Sequence, residues 1–496
     1  MKVHQLLDHY GITENPFAQE DAQSDHVFLQ HCLEGTHHPA WDKIFGNPQS
    51  PSTSVVFGEQ GAGKTALRLQ MVSQLKRYNL EHPNQRAFII EYDDFNTFLD
   101  SFRERLYGRQ RKQEKALTNW KLWDHMDAIL TLATTKLADG IRDPKSTEES
   151  QTIRPQDLNE LSRLQQRDIL LLASFYDHNR DMAHKQGWHQ LRRKLGFRTW
   201  TTWRDLIIGI VVTLVTIGLV LWQSEWQTLL NWWVGAILLA GWTPWLFRQL
   251  RLMWRGWQVK RQLRVFDHQS NTLRKILANF DSSEISGQPM PTMFRSDDRY
   301  GLLMKLQNIL QTLGFTSIVV MVDRLDEPHL INGSPERIRD FLWPMFDNKF
   351  LKHPGIAFKM LLPAAVVHYL NRQEKEFYER SRLDKQNLIP SLEWTGESLY
   401  DVANDRIRAC AKLADKPPSV KDLFDDALSR EELIGIFARL RAPRHLFKFF
   451  HRLLVDHCSK YTEDQPTWKI SRETLQSSLA LFLKDLEAYD QGRGTG

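Results

Sequence analysis

The chain has 496 residues, room for roughly two or three domains and a large core. Its net charge of +5 is small for that length, and the basic residues are unevenly placed. Only three cysteines occur, Cys32, Cys410 and Cys458, far apart and without metal-like spacing, which excludes a disulfide framework and a zinc site and suggests a reducing compartment.

In chain order, the opening Met1-Lys-Val-His-Gln-Leu-Leu-Asp8 lacks the long apolar core of a signal peptide, so the N-terminus is expected to stay in the cytosol. Ser54-Val-Val-Phe57 reads as a buried strand and Ala66-Leu-Arg-Leu-Gln-Met-Val72 as a helix. Between them, Gly58-Glu-Gln-Gly-Ala-Gly-Lys-Thr65 fits G-x-x-x-x-G-K-[ST] at every fixed position. Gly58, Gly61 and Gly63 let the backbone wrap an anion. The loop from Gly58 through Glu59, Gln60, Gly61, Ala62, Gly63, Lys64 and Thr65 to Ala66 is therefore the candidate phosphate cradle. Lys64 is expected to place its ammonium between the terminal two phosphates, and the Thr65 hydroxyl to ligate Mg2+. Arg86-Ala-Phe-Ile-Ile-Glu-Tyr-Asp93 reads as another strand with a polar exit, closing a first core segment over residues 1–96.

Residues 97–205 carry helical apolar stripes, first Phe98, Leu99, Phe102 and Leu106, later Leu158, Leu161 and Leu164, with a polar break at Asp143–Ser150. Such stripes are packing surfaces, and the region is expected to form a cytosolic stalk. Leu206–Trp222 and Leu229–Phe247 contain no ionisable residue and are expected to cross a bilayer as a hairpin over residues 206–247, turning at Gln223–Thr228. Arg192, Arg193, Lys194, Arg198 and Arg204 precede it. Arg248, Arg251, Arg255, Lys260, Arg261 and Arg264 follow it. That asymmetry predicts both hairpin ends and both termini on the cytoplasmic side of an inner membrane, with tryptophans such as Trp200, Trp203 and Trp226 at its boundaries. The basic flanks fit anionic membrane lipids better than nucleic acid, because they adjoin the spans. Over residues 248–299 the pattern predicts a returning helix, Trp254–Phe280, and a loop, Ser282–Thr292.

The second core segment spans residues 300–415. Ser317-Ile-Val-Val-Met-Val-Asp323 is an apolar, β-branched run ending in an acid, the pattern of a central parallel strand whose tip, Asp323, holds magnesium. Asp326 and Glu327 lie within reach of the same edge, and either is a candidate to orient or deprotonate the attacking water. Gly355–Pro363 predicts a third strand whose tip, Pro363-Ala-Ala, offers no polar sensor. Leu392-Glu-Trp394 suggests an extended piece leading to a helix over Leu399–Arg408. Arg406 or Arg408 there is placed either to reach a phosphate or simply to be solvated. Residues 416–490 are helical: Ser429-Arg-Glu-Glu432 is a capping box, and Arg441-Ala-Pro-Arg444 opens a helix apolar on one side. The tail Gly492–Gly496 is expected to be disordered.

Val-Asp-Arg-Leu-Asp-Glu327 resembles the D-x-x-D-E second motif of STAND NTPases and its counterpart in the KAP group of P-loop NTPases, which typically carry transmembrane helices between the two nucleotide motifs. Tyr10-Gly-Ile-Thr-Glu-Asn-Pro-Phe17 is similar to the opening of ExeA-type and other AAA-like ATPases, and Arg441–Leu454 resembles the lid helix of AAA-like and ORC-type ATPases. There an arginine after proline contacts the terminal phosphates, which makes Arg444 a candidate. The resemblance covers roughly residues 8–96 and 300–460. It implies an α/β P-loop NTPase of the AAA-like ASCE type: a parallel sheet, a helical insertion containing two transmembrane helices, and a C-terminal helical lid. Arg324 stands where many relatives have a small or acidic residue, and Glu327 is not adjacent to Asp323, so a slow switch is implied. The expectation is a membrane-anchored, Mg2+-dependent ATPase acting as a homo-oligomer or with a partner protein, with anti-phage defence as the family-level role. The alternative is a nucleotide-stabilised scaffold of a secretion or transport assembly. GTP is disfavoured, since no N-K-x-D segment follows Asp323.

Overall fold

The computed structural model describes residues 1–145, 148–179, 183–199, 204–222, 232–267, 269–367, 387–412 and 417–490. Five strands, β1 (Ser54–Gly58), β2 (Arg86–Tyr92), β3 (Phe315–Val322), β4 (Ile356–Pro363) and β5 (Asn387–Ile389), form a parallel sheet in the order β2-β3-β4-β1-β5. The strands are near-continuous apolar runs because both faces are covered. Val56, Ile89, Val319, Met321 and Leu361 pack on one face with Leu67, Met71 and Leu75 of α1 (Lys64–Glu81). The alternate residues Phe57, Ile90, Val320, Val322, Phe358 and Met360 face a larger core that includes Ile129 and Leu130 of α2 (Leu122–Arg142). Since β4 pairs with both β1 and β3, Gly58 and the end of β3 emerge on the same edge of the sheet, one strand apart. Two strand spacings amount to roughly 10 Å, within reach of side chains.

Most of the described residues between β2 and β3 are helical, and many of these helices share the core of the sheet's second face. Buried ion pairs fix it. Arg299 meets Asp127 at 3.0 Å while the Tyr176 hydroxyl donates to the same carboxylate at 2.7 Å, and Arg264 meets the buried Asp124.

Within this segment α3 (Arg204–Trp222) and α4 (Trp232–Gln262) pack as a hairpin. The Gly209 backbone lies under the Trp242 ring and Gly241 under Val212, the Trp242 Nε1–H donates to Thr213 Oγ1 at 3.0 Å, and Arg248 pairs with Asp205 at 3.5 Å at the base. The expectation of two transmembrane helices is overturned, because among the described residues no helix is long and apolar enough to cross a membrane. Arg204 and Asp205 occupy the first turn of α3, and Arg248, Arg251 and Arg255 lie inside α4. That leaves apolar stretches of roughly 25 Å or less against about 30 Å of hydrocarbon. Leu229–Asn231, which the sequence-based span needs, lie outside the described residues, as do the Gln223–Thr228 turn, Trp200, Trp203, Trp226 and the Gly492–Gly496 tail. With no spanning helix among the described residues, the multi-pass inner-membrane assignment and the orientation built on it are withdrawn.

The returning helix is also shorter than its pattern predicts. α4 stops at Gln262 and a separate helix covers Ser270–Leu277, because the Arg105 guanidinium takes the carbonyls of Lys260, Leu263 and Phe266 at the end of α4. Beyond it, α5 (Asp297–Thr312) leads into β3. The C-terminal helices include α6 (Gly396–Ala409) and α7 (Pro443–Ser459), and they build a second core around Leu399, Phe437, Phe450 and Leu454. The N-terminal residues Leu6, Ile12, Phe17 and Phe28 complete it, so the two ends of the chain fold together beside the sheet. The Ser429 capping box is present, its hydroxyl accepting from the Glu432 N–H.

Candidate functional site

β1 ends at Gly58 and α1 begins at Lys64, with Gly63 as its N-cap at φ +92° and Gly61 at φ +85°. Both angles lie in the left-handed region that glycine adopts without a Cβ penalty, so the loop wraps tightly over the start of α1. Lys64 Nζ folds back and donates to the carbonyls of Gly58 at 2.9 Å and Glu59 at 2.8 Å. Burial holds its pKa below the usual lysine range, and the carboxylates of Asp326 and Asp323 oppose that.

The Thr65 hydroxyl donates to Asp323 Oδ2 at 3.1 Å, joining motifs 258 residues apart. Asp323 is 2% exposed, and burial pushes its pKa up against the pull of Arg68, the Arg324 N–H, Thr65 and Lys64. Arg68 was not singled out from sequence. It is buried, with Nε 3.4 Å from Asp323 Oδ2 and Nη1 bound to Glu91 at 2.7 Å and Asp93 at 2.8 Å. A signal existed: Arg68 lies four residues after Lys64, in register with the loop on a face otherwise filled by Leu67, Met71 and Leu75.

Arg324 follows Asp323 at φ +59° and its Nε donates to Glu327 Oε1 at 2.6 Å. Glu327 is therefore committed to an ion pair. The Asp326 carboxylate, by contrast, has no side-chain partner among the described residues and acts electrostatically on Lys64.

The C-terminal helices close over the loop. Trp394 Nε1–H donates to the Ala62 carbonyl at 2.8 Å, and the Arg444 N–H approaches the Gly61 carbonyl at 3.4 Å. The aliphatic part of Arg444 lies directly on Gly61, and its Nε sits 3.7 Å from Glu20, which Lys448 approaches at 3.8 Å. Arg444 is thus brought to the loop. Arg406 is not: it is buried against Asp25 at 2.6 Å, donates to the Pro16 carbonyl and stacks on Phe447, tying the N-terminal segment to α7. Arg408 is exposed on α6. A cavity of about 370 Å³ is lined by Lys64, Thr65, Asp323 and Arg444 together with the apolar Phe28, Cys32, Val402 and Phe447 and the charged Asp25, Asp405 and Arg406.

No family model, curated protein or solved structure matches this chain. The kinship expected from Val322–Glu327 and Tyr10–Phe17 has no support beyond those residues.

Thr65 Oγ1 and Asp323 Oδ2 are hard oxygen donors side by side, the chemistry Mg2+ prefers. Among the described residues no cluster of three or more His, Cys, Asp or Glu side chains forms a metal cage. A single carboxylate and a hydroxyl suit a cation that keeps waters and arrives with phosphates.

Proposed function

We propose that the chain binds a nucleoside triphosphate with Mg2+, ATP in preference to GTP, at the junction of β1, β3 and α7, and hydrolyses it slowly as a conformational switch. The single observation that carries this reading is the Thr65–Asp323 hydrogen bond beneath a glycine loop whose lysine is already folded over it. In this scheme the loop N–H groups from Gly58 to Ala66 receive the phosphates. Lys64 exchanges its two carbonyl partners for phosphate oxygens. Thr65 and Asp323 hold Mg2+, which when bound neutralises charge on the terminal phosphates. Asp326, free of Arg324, orients the attacking water, and Arg444 leaves Glu20 for the terminal phosphate. Because Arg444 belongs to α7, its capture by phosphate gives the nucleotide a different affinity for open and closed lids, which a switch requires. The apolar lining residues Phe28, Cys32, Val402 and Phe447 suit a base.

Titrating a fluorescent ATP analogue into the full chain tests this. Lys64→Ala is expected to weaken binding by at least about tenfold, and Asp323→Asn to abolish phosphate release while nucleotide still binds. Binding that is absent, or indifferent to Lys64, overturns the reading. The Arg324–Glu327 ion pair favours a second reading, in which the nucleotide is structural and the protein a scaffold; bound nucleotide with no turnover at all supports that one.

A further inference from the structure

We propose, resting on the nucleotide reading above, that Arg68 is a built-in competitor of the divalent cation at Asp323, and that metal binding transfers its guanidinium wholly to Glu91 and Asp93. The oxygen Asp323 Oδ2, which accepts the Thr65 hydroxyl at 3.1 Å, is the same oxygen that faces Arg68 Nε at 3.4 Å. Arg68 Nε is buried and makes no hydrogen bond, so its interaction with Asp323 is electrostatic and replaceable. A carboxylate this buried needs a positive neighbour, and Arg68 supplies one before any metal arrives. A dication at Thr65 and Asp323 then sits within a few ångströms of a guanidinium, and like charges at that distance in a buried site repel strongly. The guanidinium has somewhere to go. Its Nη1 already holds Glu91 at 2.7 Å and Asp93 at 2.8 Å, and Arg68 cannot shed its charge by deprotonation.

The geometry also gives the exchange a direction. Glu91 and Asp93 lie at the exit of β2, from which the chain runs into the helix Asn96–Glu104 and the long helical segment. A shift of Arg68 from the β3 tip to the β2 exit therefore carries the state of the metal site to the root of that segment. Arg324 adds to the positive field, since its own charge is stabilised by Glu327, Asp93 and Asp323.

The test is a Mg2+ titration of fluorescent-ATP affinity on the full chain at constant ionic strength, with an EDTA baseline. Removing the competitor in Arg68→Met is expected to lower the Mg2+ midpoint about tenfold, a difference of about 1.4 kcal/mol. Glu91→Gln weakens the alternative partner, returns Arg68 to Asp323 and is expected to raise the midpoint about threefold. Opposite shifts support the proposal, because a merely structural ion-pair network moves both variants the same way. Midpoints that stay within about twofold of the parent in both variants, or that move together, overturn it. Glu91 is partly exposed, so its variant keeps the test valid even if Arg68→Met folds poorly. A parent chain that binds no nucleotide, with or without Mg2+, overturns the nucleotide reading and this proposal together; a parent that binds with unchanged midpoints overturns only this one.

Discussion

Gly61→Ala probes the contact between the loop and α7. Gly61 sits at φ +85°, and a Cβ built there lies 2.7 Å from Arg444 Cβ and 2.9 Å from its Cδ. The left-handed backbone costs an alanine about 1–2 kcal/mol. The Cβ–Cβ approach is over-packing against a helix start, which has no flexible end to swing away, and adds about 1–3 kcal/mol. The clash falls on the closed arrangement and is relieved when α7 lifts off the loop, whereas the φ cost stays with the loop in either state. The opening free energy of this region is therefore expected to drop by about 1–3 kcal/mol, a factor of roughly 5 to 150 in exchange. Native-state hydrogen exchange, read on peptides spanning 58–72 and 441–452, measures it directly. The rest of the sheet, especially 315–322, should keep its protection. Exchange that changes by less than about threefold in both peptides, or rises evenly across the chain, refutes the argument that Arg444 rests on Gly61.

Three other substitutions have defined outcomes. Asp326→Asn should reduce phosphate release by about a hundredfold or more and Glu327→Gln by less than about tenfold, because Glu327 is held by Arg324; equal losses in a steady-state assay contradict this. Trp394→Phe removes the N–H bonded to the Ala62 carbonyl and should weaken nucleotide affinity about three- to tenfold by titration, with turnover per bound nucleotide unchanged. Lys359, buried in β4, donates to the carbonyls of Ile44, Phe45 and Ser52, and burial pushes its pKa down from 10.5 to about 7. Between those two values the unfolded chain binds a proton that the folded chain has released, so this residue's contribution to stability is full above pH 10.5 and is lost as pH falls through 7. The full swing is on the order of 5 kcal/mol, and denaturation curves of Lys359→Met should lack this slope between pH 7 and 9.

Four of the five strands and the loop could be read from sequence, because a strand buried on both faces leaves an uninterrupted apolar run and the loop's glycines are fixed by phosphate geometry. Asp323 was legible for the same reason, as the first charge after such a run. β5 was not. It is only Asn387–Ile389, too short for a pattern, and the extended piece read at Leu392–Trp394 follows it as the segment that delivers Trp394 to Ala62. The partners of the buried and site arginines were equally invisible, since Asp25 for Arg406, Glu20 for Arg444 and Asp323 for Arg68 are each supplied by residues more than 250 positions away. The hairpin misled for a different reason: absence of charge within a window says nothing about how Arg204, Asp205 and Arg248 bound the two apolar runs at its base.

The position of β1 in the sheet carries a consequence for how the chain is made. Its two neighbours, β4 and β5, both lie beyond residue 355, about 300 residues after β1 itself. At ribosomal speeds of about 5–20 residues per second, β1 stays without a neighbouring strand for roughly 15–60 seconds. During that interval Val55, Val56 and Phe57 have no strand to pair with, an invitation to aggregation that chaperone capture of the nascent polypeptide would relieve.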